Sequence, residues 1–290
     1  MPQFLDVRAS DVGDYLAAAV ATFQGSSLSN YTSITRTDLL SAIQGRHVLI
    51  ATHGFNVNRE DGIKSLSHWE SLLQLPDPWA FVGLLWPGDS VWLHGLDYPG
   101  EPKVADETGQ RVASFIDTNF SGAASISFAS HSLGARVVLQ TVKLMKARVR
   151  RVILMAGAID DNCLDTEFQT AVSNIGEISV LASKGDLVLA AAFPLGNFLG
   201  GILAAGHPWI HTALGRDGPA SPVPGAFVAP FQIPDAWNYG HLDYLRISGP
   251  PQVVVPVPAN VPPQGSPEPA DGEDGWHESF SASFVSTRFR

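Results

Sequence analysis

The chain has 290 residues, 45% hydrophobic and 16% charged, enough for one large domain or two small ones and not a disordered composition. Lys+Arg of 18 against Asp+Glu of 28 gives a formal net charge of −10, and the densest basic stretch is ARVRR at 147–151, which argues against a nucleic-acid partner. The single cysteine, Cys163, excludes an intrachain disulfide and a cysteine-based zinc site.

In chain order, MPQFLDVRAS lacks a basic region followed by an apolar core, so it is not read as a secretory signal, and a cytoplasmic protein is expected. DVGDYLAAAVATF (11–23) is compatible with a helix. TDLLSAIQG (37–45) reads as one, with Thr37 or Asp38 near its N-cap and Gly45 past its end. Five β-rich runs then follow that are apolar on both faces: HVLIAT (47–52), AFVGLLW (80–86), SISFAS (125–130), RVILMAG (151–157) and EISVLAS (177–183). Such runs indicate parallel strands covered on both sides. Between them, Val104, Thr108, Val112, Phe115 and Ile116 repeat at helical spacing, as do Val137, Val138, Thr141, Leu144 and Met145. The alternation predicts an open α/β fold, a mostly parallel central sheet with helices on both faces.

The longest apolar window, VLAAAFPLGNFLGGILAA (188–205), is interrupted by Pro194 and three glycines. It is read as a buried, loop-broken helix rather than a membrane span, which needs about 20 apolar residues. From about Gly249 the composition turns to proline, acidic and small residues, as in a linker or tail without a core of its own. The closing WHESFSASFVSTRFR either adds an edge strand or docks on the body. Truncation near Gly249 is expected to leave a folded, active body.

Ligands of open α/β sheets bind beyond the carboxyl ends of the strands. There this chain places His53-Gly54-Phe55-Asn56 after the first run, His131-Ser132-Leu133-Gly134 after the third, Lys184-Gly185-Asp186 after the fifth, and His241 in the turn-like NYGHLDYL. A serine becomes a nucleophile when an imidazole takes its proton, a carboxylate orients that imidazole, and backbone donors await the oxyanion. A strand–turn–helix at Ser132 would expose the hydroxyl and offer the Leu133 N–H, with the Phe55 N–H as second donor and Gly54 permitting close approach. The small-residue frame G-x-S-x-G is incomplete: Gly134 is present, but Ser130 stands at the first glycine. Ser132 as a helix N-cap and Asp186 as a turn former are the plain alternatives. Asp160 and Asp161 compete for the acid, and His207 and His211 for the base. The HPWIH pair lacks the glutamate of H-E-x-x-H, so no metal or other cofactor is expected. His53 and His131 read as loop-shaping neighbours, and His94-Gly95 as pocket wall or loop.

THGFN (52–56), LLWPGD (84–89), SHSLGARV (130–137), ASKGDLVL (183–190), ALGRDGP (213–219) and GHLDY (240–244) carry a family resemblance over about residues 45–245. The chain resembles the α/β-hydrolase superfamily and, within it, the alpha/beta hydrolases of unknown function of type DUF900. The resemblance implies an α/β-hydrolase catalytic domain over 46–248 and leaves both ends outside; residues 1–45 are read as an N-terminal extension packing on the core and 249–290, from their composition, as a Pro-rich acidic, partly flexible tail. It also implies that Ser132, Asp186 and His241 form a triad. The chain departs from that group after the fourth apolar run, where Ala156-Gly157-Ala158 precede Ile159-Asp160 in place of alanine, proline and aspartate.

These readings lead to a serine esterase acting on a small-molecule ester of short to medium acyl chain. Thioester hydrolysis or acyl transfer would use the same site, and an inactive hydrolase fold used for binding is the other class. His53, Gly54, His131, Trp92 and Phe198 are expected to line the pocket, with Leu93, Tyr98, Phe193, Leu195, Leu199 and Trp209 adding an apolar wall that overhangs it. Such a wall, on an acidic chain, suits a neutral ester better than a phosphate-bearing one. Oligomeric state is not readable from the sequence.

Overall fold

The computed structural model describes residues 1–13, 15–89, 101–190, 211–223, 227–245 and 276–289. Nine strands form one sheet among these residues: β1 (Gln3–Arg8), β2 (Leu16–Gln24), β3 (Thr32–Ser33), β4 (His47–Thr52), β5 (Trp79–Leu85), β6 (Ser125–His131), β7 (Val149–Met155), β8 (Ile175–Ser183) and β9 (Val228–Ile233). Their order is β3-β2-β1-β5-β4-β6-β7-β8-β9. Every pairing from β1 through β9 is parallel, and only the β1–β2 and β2–β3 pairs are antiparallel. The five apolar runs are β4 to β8, and their buried faces form the centre of the core.

The helices are α1 (Arg36–Ile43), α2 (Arg59–Leu73), α3 (Glu101–Asn119), α4 (Gly134–Leu144), the short α5 (Gln169–Ser173) and α6 (Leu214–Asp217), and α7 (Trp276–Thr287). The crossover β4–α2–β5 runs toward one edge of the sheet, while β5–α3–β6 and β6–α4–β7 run toward the other. Right-handed crossovers in opposite directions put their helices on opposite faces. Adjacent strands β4 and β6 therefore send their chains to opposite sides, which opens a crevice at their carboxyl ends.

Two expectations need correction, and one alternative left open is resolved. Residues 11–23 do not form a helix: Leu16–Gln24 is the strand β2, antiparallel to β1. Alanine-rich sequence favours a helix locally, but ladder pairing and a stack of Phe23 on Tyr31 (4.4 Å between ring centroids) override that weak preference. The first helix is capped by Thr35, not Thr37 or Asp38; Asp38 is instead the third residue of a reciprocal capping box with Thr35. The closing segment is not an edge strand. It is the helix α7, docked on α2, with Phe280, Phe284 and Val285 buried along it and Phe289 buried just beyond its end. The stripe on α4 holds at Val137, Val138, Thr141 and Met145, whereas Leu144 is exposed.

Among the described residues no helix is long and apolar enough to cross a membrane. The window 188–205 lies mostly outside them.

Candidate active site

Ser132 follows the last residue of β6 and precedes α4, with its backbone in the left-handed region at φ +54°. A non-glycine residue there is strained by roughly 1–3 kcal/mol. The surroundings hold it: the Ser132 N–H donates to the Met155 carbonyl (3.0 Å), and its own carbonyl accepts from Ala135 (3.0 Å) and Ala158 (3.2 Å). The loop that departs from the family pattern thus passes directly behind the serine. Ser132 is not an N-cap. That position belongs to Leu133, and the hydroxyl reaches His241 instead.

The Ser132 Oγ lies 2.9 Å from His241 Nε2, and His241 Nδ1 lies 2.7 Å from Asp186 Oδ2. With Nδ1–H donated to the carboxylate, Nε2 is the acceptor for the serine proton. Asp186 is fully buried, and its second oxygen accepts the Leu189 N–H (2.9 Å) at the start of the helical turn 187–190. One carboxylate oxygen thus caps the turn that follows, while the other faces the imidazole. Ser183 ties the turn to the histidine loop, accepting the Gly185 N–H (3.2 Å) and donating to the Tyr239 carbonyl (2.6 Å). The rival Asp161 is engaged elsewhere, with His211 (3.1 Å) and Thr212 (2.8 Å). Asp160 forms an isolated bridge with Ala213, and His207 lies outside the described residues.

His131 and His53 are buried supports. His131 donates its Nε2–H to the His241 carbonyl (2.7 Å), with the two rings 4.9 Å apart. His53 donates Nδ1–H to the Gly54 carbonyl (2.9 Å) and accepts the Trp86 N–H at Nε2 (3.3 Å). Burial pushes both imidazoles down to about 3; the neighbouring His241 adds to this at His131 and the Arg8 charge at His53. Both are therefore held neutral near pH 7. The consequence for stability has a definite sign. The unfolded chain binds a proton at each of these residues below about pH 6.5 and the folded chain does not, so stability falls as pH drops from there toward 3, by about 1.4 kcal/mol per unit and residue. The buried carboxyls Asp6 and Asp89, raised by desolvation, act in the opposite sense. Urea unfolding of the wild type and His131→Asn at pH 7 and 4.5 should show the gap between them closing at the lower pH. A constant gap would count against a neutral His131.

The loop after β4 meets the nucleophile closely. A Cβ on Gly54 would fall 2.6 Å from Ser132 Cβ and 3.2 Å from its Oγ, while one on Gly134 would fall 2.4 Å from the His53 carbonyl oxygen. Glycine is therefore required at 134, where α4 touches the β4 loop. Position 130 is different: Ser130 sits within β6, fully buried, and its hydroxyl has no hydrogen-bond partner among the described residues. Ser130→Ala should keep activity and raise stability by about 1 kcal/mol by removing an unsatisfied hydroxyl. Ser130→Leu and Gly54→Ala should each damage the site, the latter by displacing Ser132. Thermal melts and ester turnover check all three, and an active Gly54→Ala enzyme would show that the close approach is not needed.

Of the expected pocket residues, the structure gathers His53, Gly54 and His131 around Ser132, with Phe55 half-buried on the same loop and Leu133 buried at the head of α4. Trp92 and Phe198 lie outside the described residues, as do Leu93, His94, Tyr98, Phe193, Leu195, Leu199 and Trp209. Sequence reasoning missed Arg8, Ser183 and Tyr239. The signal for Arg8 was a lone arginine closing the apolar run QFLDVR.

Solved structures similar to this chain include an uncharacterized protein from Bacillus cereus, 16% identical with a TM-score of 0.41 over 69% of this chain and 55% of that one. Esterase PE8 is 16% identical (TM-score 0.38, 68% of this chain and 86% of that one). Acetyl xylan esterase 1 from Thermoanaerobacterium sp. is 13% identical (TM-score 0.38, 77% and 73%). Among curated proteins there is no sequence match. The family description "Alpha/beta hydrolase of unknown function (DUF900)" matches residues 30–213, a span that holds Ser132 and Asp186 and ends before His241. On that match, and with a mostly parallel sheet whose strand ends carry the serine and the carboxylate, the chain belongs to the DUF900 alpha/beta hydrolases.

Proposed function

We propose that this protein is a serine hydrolase that cleaves carboxylic esters of short to medium acyl chain through an acyl-enzyme. The observation that carries the reading is the continuous chain Ser132 Oγ–His241 Nε2 (2.9 Å) and His241 Nδ1–Asp186 Oδ2 (2.7 Å), on a serine in the left-handed conformation at the head of a helix.

As Ser132 Oγ attacks the ester carbonyl, its proton passes to His241 Nε2, and the imidazolium is stabilised by buried Asp186. Negative charge gathers on the carbonyl oxygen and is met by the N–H groups of Leu133 and Phe55. Collapse breaks the bond to the alkoxy group, which leaves as the alcohol with the proton held by His241. Water then attacks the acyl-enzyme and gives its proton to His241; as the bond from the acyl carbon to Oγ breaks, His241 passes that proton to Ser132 Oγ and the carboxylic acid departs. Leu187 and Val188 beside Asp186, and Leu242 beside His241, are exposed and favour a neutral, apolar substrate.

Labelling with a fluorophosphonate, followed by peptide mapping, tests the nucleophile; p-nitrophenyl acetate, butyrate and octanoate test the substrate class. The expected result is a label on Ser132 and turnover of acetate and butyrate esters, insensitive to chelator. Failure of both reactions sinks the enzyme reading in favour of a binding module, and preference for thioesters or for transfer to an added alcohol redirects it to those reactions.

A further inference from the structure

Arg8, at the end of β1, lies outside the span matched by the family and far in sequence from the serine, yet its side chain is fully buried. Its fork is spent on three separate segments. Nη1 donates to the carbonyls of Val57 (3.0 Å) and Trp86 (2.7 Å); Nη2 donates to Asp89, to Asp11 (3.2 Å) and to Gly13 (3.4 Å); Nε donates to Ser10 (3.3 Å). Asp89 in turn accepts the Gly13 N–H (3.1 Å).

Two of these segments enclose the loop that follows β4. Residues 53–57 are held at His53, whose carbonyl accepts the Trp86 indole N–H (2.9 Å); at Asn56, left-handed at φ +59°, whose N–H donates to Gly88 (2.6 Å); and at Val57, through Arg8. Trp86 and Gly88 belong to the same WPGD turn that Arg8 and Asp89 pin. Phe55 stands between these anchors, and Gly54 lies against Ser132. An apolar side chain can fill the volume of a buried arginine, often at no loss of stability. It cannot supply donors to carbonyls on three segments in a fixed fork, and neither does the point charge of a lysine.

We propose that Arg8 is a positioning residue for the oxyanion loop: paired with Asp89, it fixes Val57 and Trp86 so that the Phe55 N–H is set for the oxygen of the ester carbonyl attacked by Ser132. The inference rests on the serine-hydrolase reading. An oxyanion donor acts only when it sits at hydrogen-bond distance from the developing charge, and a displacement near 1 Å costs on the order of 100-fold in rate. Arg8 touches no substrate; its effect passes through the loop.

The test uses the full chain with Arg8→Lys, Arg8→Met and Asp89→Asn, first by backbone hydrogen exchange over residues 53–57 and then by ester kinetics. Faster exchange in that loop, with the β6–β7 strands still protected, is expected. With it kcat should fall about 10- to 100-fold at a KM within about twofold, and affinity for a boronic acid that mimics the tetrahedral adduct should fall by the same factor. Unchanged exchange over 53–57 in a folded variant overturns the proposal, as does a loss confined to KM. If none of the three variants folds, Arg8 is a requirement of the fold and the positioning role falls. A wild type that neither labels with fluorophosphonate nor turns over esters defeats the hydrolase reading instead, while the exchange measurement still decides whether Arg8 holds the loop.

Discussion

Ser132→Ala should abolish ester turnover, lowering kcat by about 10⁵- to 10⁶-fold, while the protein stays folded. The Oγ is the only atom removed that the proposed chemistry needs, and its loss leaves the Met155, Ala135 and Ala158 backbone bonds in place. His241→Ala should be nearly as severe, because the serine then has no acceptor for its proton. Asp186→Asn should cost about 10⁴-fold, since the amide leaves the imidazole in the wrong tautomer for Ser132. Stability adds a second, independent readout. At φ +54° the serine carries backbone strain that glycine does not, so Ser132→Gly should be inactive yet melt about 2–4 °C higher than the wild type. Kinetics on p-nitrophenyl butyrate and thermal melts of the four variants decide the matter. If Asp161→Asn is the crippling change and Asp186→Asn is mild, the acid has been misassigned, despite the 2.7 Å contact between Asp186 and His241.

The second large effect is on folding. Composition alone suggested that truncation near Gly249 leaves a folded, active body; the docking of α7 reverses that expectation, and removing residues 276–290 should yield insoluble or non-cooperatively melting protein. Phe280, Phe284, Val285 and Phe289 are buried, and each such side chain stabilises by about 1.5–3 kcal/mol. Together they are comparable to the whole net stability of a typical domain, about 5–15 kcal/mol. The helix also reaches the site. Ser281 accepts the Trp69 indole N–H (3.1 Å) and donates to the Tyr244 carbonyl (2.7 Å), and Phe280 meets Trp237 edge-on at 5.2 Å and Tyr239 at 5.9 Å. Both elements flanking His241 thus lean on α7. Phe284→Ala, a milder change, should lower the urea midpoint while keeping activity, whereas Ser281→Ala should reduce kcat more than its effect on stability suggests. A truncated protein that melts cooperatively within a few degrees of the full chain would show that α7 is a passive cover.

What was legible in the sequence follows from short-range burial. Runs such as HVLIAT and SISFAS are apolar on both faces because parallel strands under two layers of helix have no solvent side, so β4 to β8 and the α/β class could be read directly. The serine's turn was legible for the same local reason: an apolar strand, small residues at 129–130 and 134, and an amphipathic helix. The order Ser, Asp, His at strand ends was visible too, and the family resemblance pointed to Asp186 and His241, although the residue pattern alone left Asp160, Asp161, His207 and His211 open. The contact formed joins residues 55 apart: the bond from Ser183, at the end of β8, to the Tyr239 carbonyl brings the two loops together, so that Asp186 meets His241 while Asp161 meets His211. Tertiary structure likewise made residues 16–24 a strand, because β1 offered an unpaired edge whose ladder outweighs the helix preference of alanine. It made 276–287 a docked helix, because α2 and the aromatic rings of Phe231, Trp237 and Tyr239 present an apolar face that only the folded sheet assembles. And it gave Arg8 its partners, since three carbonyl-bearing loops converge on one guanidinium only when β1 lies beside β5 and beyond it β4. Periodicity records which residues are buried; which distant groups they are buried against is a property of the assembled chain.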